Sequence, residues 1–139
     1  MTAIIVDDEK HCREVMEHLL HKHCSDVKVL ANCANGGEAL VALQKEHPDI
    51  LFLDIEMPGM NGFELLEKFQ HPTFEIVFTT AYNEYAIKAI KHSALDYLLK
   101  PVDKDELIQT VQRAKEHKTL KASQRVDSLL EILNIKKNN

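Results

Sequence analysis

The chain has 139 residues, a formal net charge of −5, and 45% hydrophobic against 28% charged residues. This length suits one domain, able to bury roughly 68–70% of its unfolded surface without disulfides or metals, and the composition excludes a disordered chain. No apolar run approaches the roughly 18 residues of a membrane span and no basic signal region opens the chain, so a cytoplasmic protein without a membrane partner is expected.

The charge is uneven: residues 1–112 sum to −9 and residues 113–139 to +4. The acidic body argues against direct DNA contact by that part. Cys12, Cys24 and Cys33 are odd in number and form no CxxC pair, so they read as reduced thiols. His18, His21 and His23 beside Cys24 lack a metal-site spacing and read as the solvated end of a helix.

In chain order, Ala3–Val6 is a short apolar strand, and Cys12, Val15, Met16, Leu19 and Leu20 recur at helical spacing. Val27–Cys33 is a second strand. Asn35 with Glu38 three residues on opens a second helix, which carries Ala39, Leu40 and Leu43 inward and stops before Pro48. Asp49–Leu53 suits a strand covered on both faces. A Pro58-Gly59 turn leads to a helix over Asn61–Phe69, with Phe63, Leu66 and Phe69 on one side. Ile76–Thr80 is a fourth strand, Asn83 caps a helix to about His92, and Tyr97–Leu99 is a short fifth strand before Pro101. Asp103 with Glu106 opens a long last helix.

Five strands alternating with five helices predict an α/β fold, a three-layer sandwich around a parallel sheet. Sites in such sheets form at the carboxyl ends of the strands. Those ends carry Asp7-Asp8-Glu9, Asp54, Thr79-Thr80 and Lys100-Pro101. Carboxylates gathered there would repel and raise one another's pKa, and a hard divalent cation such as Mg²⁺ would relieve them. A hydroxyl and an ammonium opposite suit phosphoryl oxygens, so the set suits phosphoryl transfer to an Asp. Taken singly, each residue reads as a cap, a turn or plain strand propensity; their recurrence at successive strand ends is the signal.

Asp7-Asp8, Asp54-Ile-Glu-Met-Pro58-Gly59-Met-Asn-Gly62, Thr80-Ala81 and Lys100-Pro101 together resemble the receiver domain of two-component response regulators, from about Ala3 to about Lys118. Phe78-Thr-Thr-Ala-Tyr-Asn-Glu-Tyr-Ala86 and Ala94-Leu-Asp-Tyr-Leu-Leu-Lys-Pro101 resemble the receivers of LytTR-type regulators. The resemblance implies a flavodoxin-like sheet of order 2-1-3-4-5. It implies Asp54 as phosphoacceptor from a sensor histidine kinase. Mg²⁺ would be held by Asp8, Asp54 and the Glu56 carbonyl, with Asp7 acting through water. Lys100 and Thr80 would contact the phosphoryl group; Thr80 is chosen over Thr79 because it directly precedes Ala81. Tyr97 would be a switch aromatic, and Lys100-Pro101 a cis peptide. The helix beginning at Asn83, the fifth strand and the last helix would form an output face, where Ile87, Ile90 and Leu95 suit either a homodimer or ordinary core. Glu56 and Tyr82, two residues beyond Asp54 and Thr80, would set the phosphoryl lifetime.

Beyond phosphorylation and dephosphorylation of its own Asp54, no enzymatic turnover is expected. A haloacid-dehalogenase-type phosphatase would carry a second Asp where Glu56 stands, and a flavin module would carry a phosphate loop after the first strand. Residues 1–120 read as the receiver and residues 121–139 as a helical linker toward a C-terminal DNA-binding domain. Val126, Leu129, Leu130 and Leu133 form an amphipathic stripe there. A dimerising or docking helix are the other readings, but so short a stripe rarely makes a stable coiled coil alone. A stand-alone receiver signalling by protein contact is the alternative to a transcriptional regulator.

Overall fold

The computed structural model describes residues 1–82 and 94–138. In order they form β1 (Thr2–Val6), α1 (Lys10–His23), β2 (Lys28–Cys33), α2 (Gly36–Lys45), β3 (Ile50–Asp54), α3 (Gly62–Glu67), β4 (Glu75–Thr80), β5 (Asp96–Leu99) and α4 (Lys104–Asn138). The helix expected from Asn83, with Ile87 and Ile90, lies outside the described residues. The strands make one parallel sheet of order β2-β1-β3-β4-β5, as expected.

Sequence alternation on the strands splits the core in two. On one face Ile4, Val6, Leu51, Leu53, Ile76 and Phe78 meet Ala39 and Leu43 of α2 and Phe63, Leu65 and Leu66 of α3. On the other, Ala3, Ile5, Ile50, Phe52 and Val77 meet Met16 and Leu20 of α1 and Leu107, Val111 and Ala114 of α4. β3 is buried at every position because helices cover both its faces.

The helix starts follow the capping chemistry. Asn35 accepts from the Glu38 N–H, while the Glu38 carboxylate reaches back to the Ala34 N–H rather than to that of Asn35. Asp103 accepts from the N–H groups of Asp105 and Glu106. α3 is shorter than its apolar spacing suggests: a reciprocal box of Asn61 and Glu64 opens it and it ends at Glu67. Phe69 lies beyond that end and packs edge-on to Phe74, at 5.7 Å between centroids, so its apolar period serves the loop. Leu95 packs against the α1-side core rather than facing outward.

Residue 120 lies within α4. α4 runs unbroken from the core to Asn138, and its first half is docked. Arg113 pairs with Asp96, Lys115 with Asp26, Lys118 with Asp49 at 3.2 Å, and Lys121 with Glu75 at 2.9 Å. Much of the basic excess of the tail is therefore matched to the acidic body, because the helix lies across the ends of β2, β3 and β4 where those carboxylates sit. Beyond Lys121, Val126, Leu129, Leu130 and Leu133 are all exposed. Among the described residues no helix is long and apolar enough to cross a membrane.

Candidate functional site

The carboxyl ends of β1, β3 and β4 and the segment after β5 converge. Order reversal between β1 and β3 opens a crevice there, and the last residues of neighbouring strands necessarily share one edge. Asp7 follows β1, Asp54 ends β3 in register with Thr79, Thr80 ends β4 in register with Leu99, and Lys100 follows β5. Among the described residues, Asp7, Asp8 and Asp54 form a group whose carboxylate oxygens, one from each, lie within 4.8 Å of one another. Asp7 and Asp54 are buried and Asp8 is exposed, so the cluster has a buried floor and an open side.

Lys100 is the cation of this cluster. Its Nζ lies 2.8 Å from Asp7 Oδ2 and 3.6 Å from Asp54 Oδ1. The other Asp7 oxygen accepts from the Glu9 N–H at 2.9 Å. Burial alone would lower the lysine's pKa, but the bond to Asp7 and the charges of Asp54 and Asp7 raise it to about 12. Asp54 moves the other way for a carboxylate. Burial first, then the charge of Asp7 and the bond and charge of Asp8, outweigh Lys100 and push it up to about 8. One ammonium is thus too little for three carboxylates, and an all-oxygen donor set with an open side fits a hard divalent cation.

The turn after β3 is built for close approach. A Cβ on Gly62 would lie 2.6 Å from the Asp54 carbonyl oxygen, and Gly62 N–H donates to the Ile55 carbonyl, so the motif needs glycine there. Gly59 takes φ 81°, the left-handed region, in the turn after Pro58. This fold-back leaves Glu56 exposed beside the acceptor position.

Thr80 is buried, and its Oγ1 accepts from the Tyr82 N–H at 3.2 Å. The Tyr97 hydroxyl donates to the Tyr82 carbonyl. Thr80 and Tyr97 are therefore joined through one residue's backbone. Tyr97 is half-buried against the α2–α3 side of the core, and Ala81 is exposed. Thr79 instead lines a cavity on the α1 side, so adjacent threonines face different layers. The Lys100–Pro101 peptide is cis, as expected. Sequence reasoning missed Arg13, whose guanidinium donates to the Asp7 carbonyl at 2.8 Å and fixes the end of β1. Its only signal is a position six residues beyond Asp7, on the first turns of α1.

Residues 3–112 match the model of the response regulator receiver domain. An uncharacterized response regulatory protein of Shewanella oneidensis is 42% identical over 123 residues, covering 88% of this chain and 52% of that protein. The transcriptional regulatory protein BtsR of Escherichia coli K12 is 42% identical over 119 residues, covering 84% and 49%. The chain thus spans about half the length of these curated relatives. Among solved structures, the response regulatory domain of mrkE from Klebsiella pneumoniae superposes with TM-score 0.75 at 32% identity, covering 84% of this chain and 97% of that one. The response regulator TrrA of Thermotoga maritima, in complex with Mg²⁺-BeF, gives 0.72 at 30% identity, covering 81% and 97%. With the fold, the acidic cluster and its lysine in place, the chain belongs to the response regulator receiver domain family.

Proposed function

We propose that Asp54 accepts a phosphoryl group from a phosphohistidine of a sensor histidine kinase, and that the modified domain switches a transcriptional output of LytTR type. The carrying observation is the pairing of a buried Asp54 with a Lys100 that sits between it and Asp7. An Asp54 oxygen attacks phosphorus, the P–N bond of the donor breaks, and an acyl phosphate forms. A protonated Asp54 is a poor nucleophile, so the site must first return it to the carboxylate. Asp8, Asp54 and the Glu56 carbonyl would hold Mg²⁺, with Asp7 through water. Bound there, the ion neutralises the carboxylates and the incoming phosphoryl charge.

Phosphorylation adds roughly −1.5 to −2 charges and three acceptor oxygens. Lys100 then leaves Asp7 for a phosphoryl oxygen. Thr80, now an acceptor from Tyr82, turns its own proton to another oxygen. Thr80 draws Tyr82 with it, and Tyr82 carries the carbonyl that holds Tyr97. Moving a population from 1:99 to 99:1 requires about 5.5 kcal/mol of preference, the order of two such charge-assisted contacts in a partly dry site. On the output face, Leu99 of β5 and Ile108 of α4 are exposed and suit a homodimer contact. DNA would be reached only through a further domain, and the longer transcriptional relatives, of which this chain covers 49%, support that reading. No other enzymatic turnover is proposed.

Acetyl phosphate with Mg²⁺ tests the acceptor. The expected result is a mass gain of one phosphoryl group, abolished in Asp54→Asn. Turnover of phosphate esters without a stable adduct would replace this reading with a phosphatase. Glu56 and Tyr82 flank the approach of water to the adduct, and Tyr82 is 48% exposed. Glu56→Ala and Tyr82→Ala are each expected to change the dephosphorylation rate; unchanged rates in both remove these residues from control of the lifetime.

A further inference from the structure

A cavity of about 200 Å³ lies on the α1 face of the sheet, next to the acidic cluster but behind it. Its walls are chiefly carbon: Ile5, Met16 and Phe52 from the buried core, Val15 at the mouth, and Pro101 and Val102 from the segment after β5. Its polar lining is Asp7, Lys100, Thr79, Cys12 and the exposed His11, so Lys100 is a wall shared with the acceptor site. An enclosed apolar cavity of about 150 Å³ takes a benzene ring; this one, open on one side, has room for a ring of that size.

We propose that this cavity is a binding site for a small, neutral, single-ring molecule, and that its occupancy holds Lys100 on Asp7. The lining decides the class of ligand. At the polar end Asp7 already accepts from Lys100 and from the Glu9 N–H, and the Lys100 ammonium is already shared with Asp54. A carboxylate or phosphate head would be set against the buried Asp7 carboxylate, while the Lys100 ammonium beside it is already shared between Asp7 and Asp54, so the head would lose hydration that this end does not replace. An uncharged ring pays no such cost and packs against the apolar lining, Met16 and Val102 included. The ring would rest against Pro101 and the lysine stem, which restrains the departure of Lys100 that phosphoryl binding requires. The second half of the proposal rests on the phosphoacceptor reading; the first does not.

The full chain, methyl-labelled, is titrated with toluene and separately with benzoate, which offers the same ring with a charge. Toluene is expected to give saturable shifts at the methyls of Ile5, Met16 and Val102, and benzoate none at equal concentration. Val15→Trp, which fills the mouth from the surface of α1, is expected to abolish the toluene shifts. Val102→Phe carries the same expectation if Val15→Trp loses its dispersed spectrum. The site is overturned if toluene leaves those methyls unmoved, if benzoate matches it, if the filled variant still responds, or if shifts fall only on Leu129, Leu130 and Leu133 of the exposed stripe. Beryllofluoride with Mg²⁺ is then titrated with and without saturating toluene. If half the lysines are held, its half-saturation point rises about twofold. An unchanged midpoint overturns the coupling alone. Absence of beryllofluoride binding without toluene overturns the phosphoacceptor reading and leaves the toluene result standing.

Discussion

Asp49 and Asp54 stand five residues apart at opposite ends of β3, and their carboxyl groups are driven in opposite directions. Burial raises both. At Asp49 it is outweighed by the N–H and hydroxyl of Thr2 and by Lys118, so the carboxyl falls below its usual range. At Asp54 burial is reinforced by Asp7 and Asp8, and Lys100 cannot offset both. The same contrast runs across the molecule. The amino edge of the sheet distributes its cations, with Lys115 on Asp26, Lys118 on Asp49 and Lys121 on Glu75. Among the described residues, the carboxyl edge gathers three acids around one lysine. One edge is built to be satisfied at rest; the other is left short of positive charge, which is what an acceptor of a cation and a phosphoryl group needs.

Removing the lysine paired with Asp7 and Asp54 gives the largest effect. Lys100→Met is expected to lower the stability of the metal-free chain at pH 8 by about 3 kcal/mol, since it leaves Asp7 and Asp54 buried without their shared cation. Urea denaturation measures this. The loss should shrink toward pH 5, where Asp54 carries its proton and its repulsion with Asp7 is gone. A loss that does not depend on pH would mean that the lysine matters through its packing alone.

Supplying a second cation comes next. Mg²⁺ at a hundred times its dissociation constant is expected to add about 2.7 kcal/mol to the wild type. It should also change the pH dependence. Without metal, Asp54 keeps its proton in the folded state up to about 8 but loses it near the ordinary carboxylate value when unfolded. Between those values the folded state binds more protons, so stability falls as pH rises, and the penalty is complete above about 8. Asp49 and Asp26 act with the opposite sign. Their lowered values contribute stability above the usual carboxylate range, and it is lost as pH falls through their folded values. Mg²⁺ should flatten the descending slope near neutrality and leave the acid limb unchanged. Asp54→Asn should flatten the same slope without metal.

The two edges were not equally legible in the sequence. The carboxyl edge could be read because each of its residues directly follows an apolar run, and the parallel alternation carries all such positions to one side. Strand limits moved by about one residue, and the capping residues Asn35 and Asp103 stand where their side chains suggested. The amino edge could not be read. Lys115, Lys118 and Lys121 meet Asp26, Asp49 and Glu75 only because α4 crosses the sheet at one particular angle, and local periodicity holds no information about that angle. The same holds for Arg13, whose partner is a backbone carbonyl, and for the cavity, whose lining comes from β1, α1, β3, β4 and the segment after β5. The basic charge from Arg113 to Lys121 is local in sequence, but its partners are not.

The smallest effects belong to the satisfied edge. Lys118 is 59% exposed and its partner Asp49 keeps two bonds from Thr2 when the lysine is removed. Lys118→Ala is therefore expected to cost only about 0.5 kcal/mol, and less in high salt. Asp49→Ala should cost more, because it also strips the Thr2 N–H and hydroxyl of their acceptor at the start of β1. Denaturation of the two single variants and the double variant separates the contributions. If the edge is a set of independent pairs, Lys118→Ala has no further effect once Asp49 is gone, and the Mg²⁺ affinity at the far end of β3 stays as it was. A change in that affinity would mean that the strand transmits charge from one edge to the other, and the two ends of β3 would then have to be treated as one coupled system.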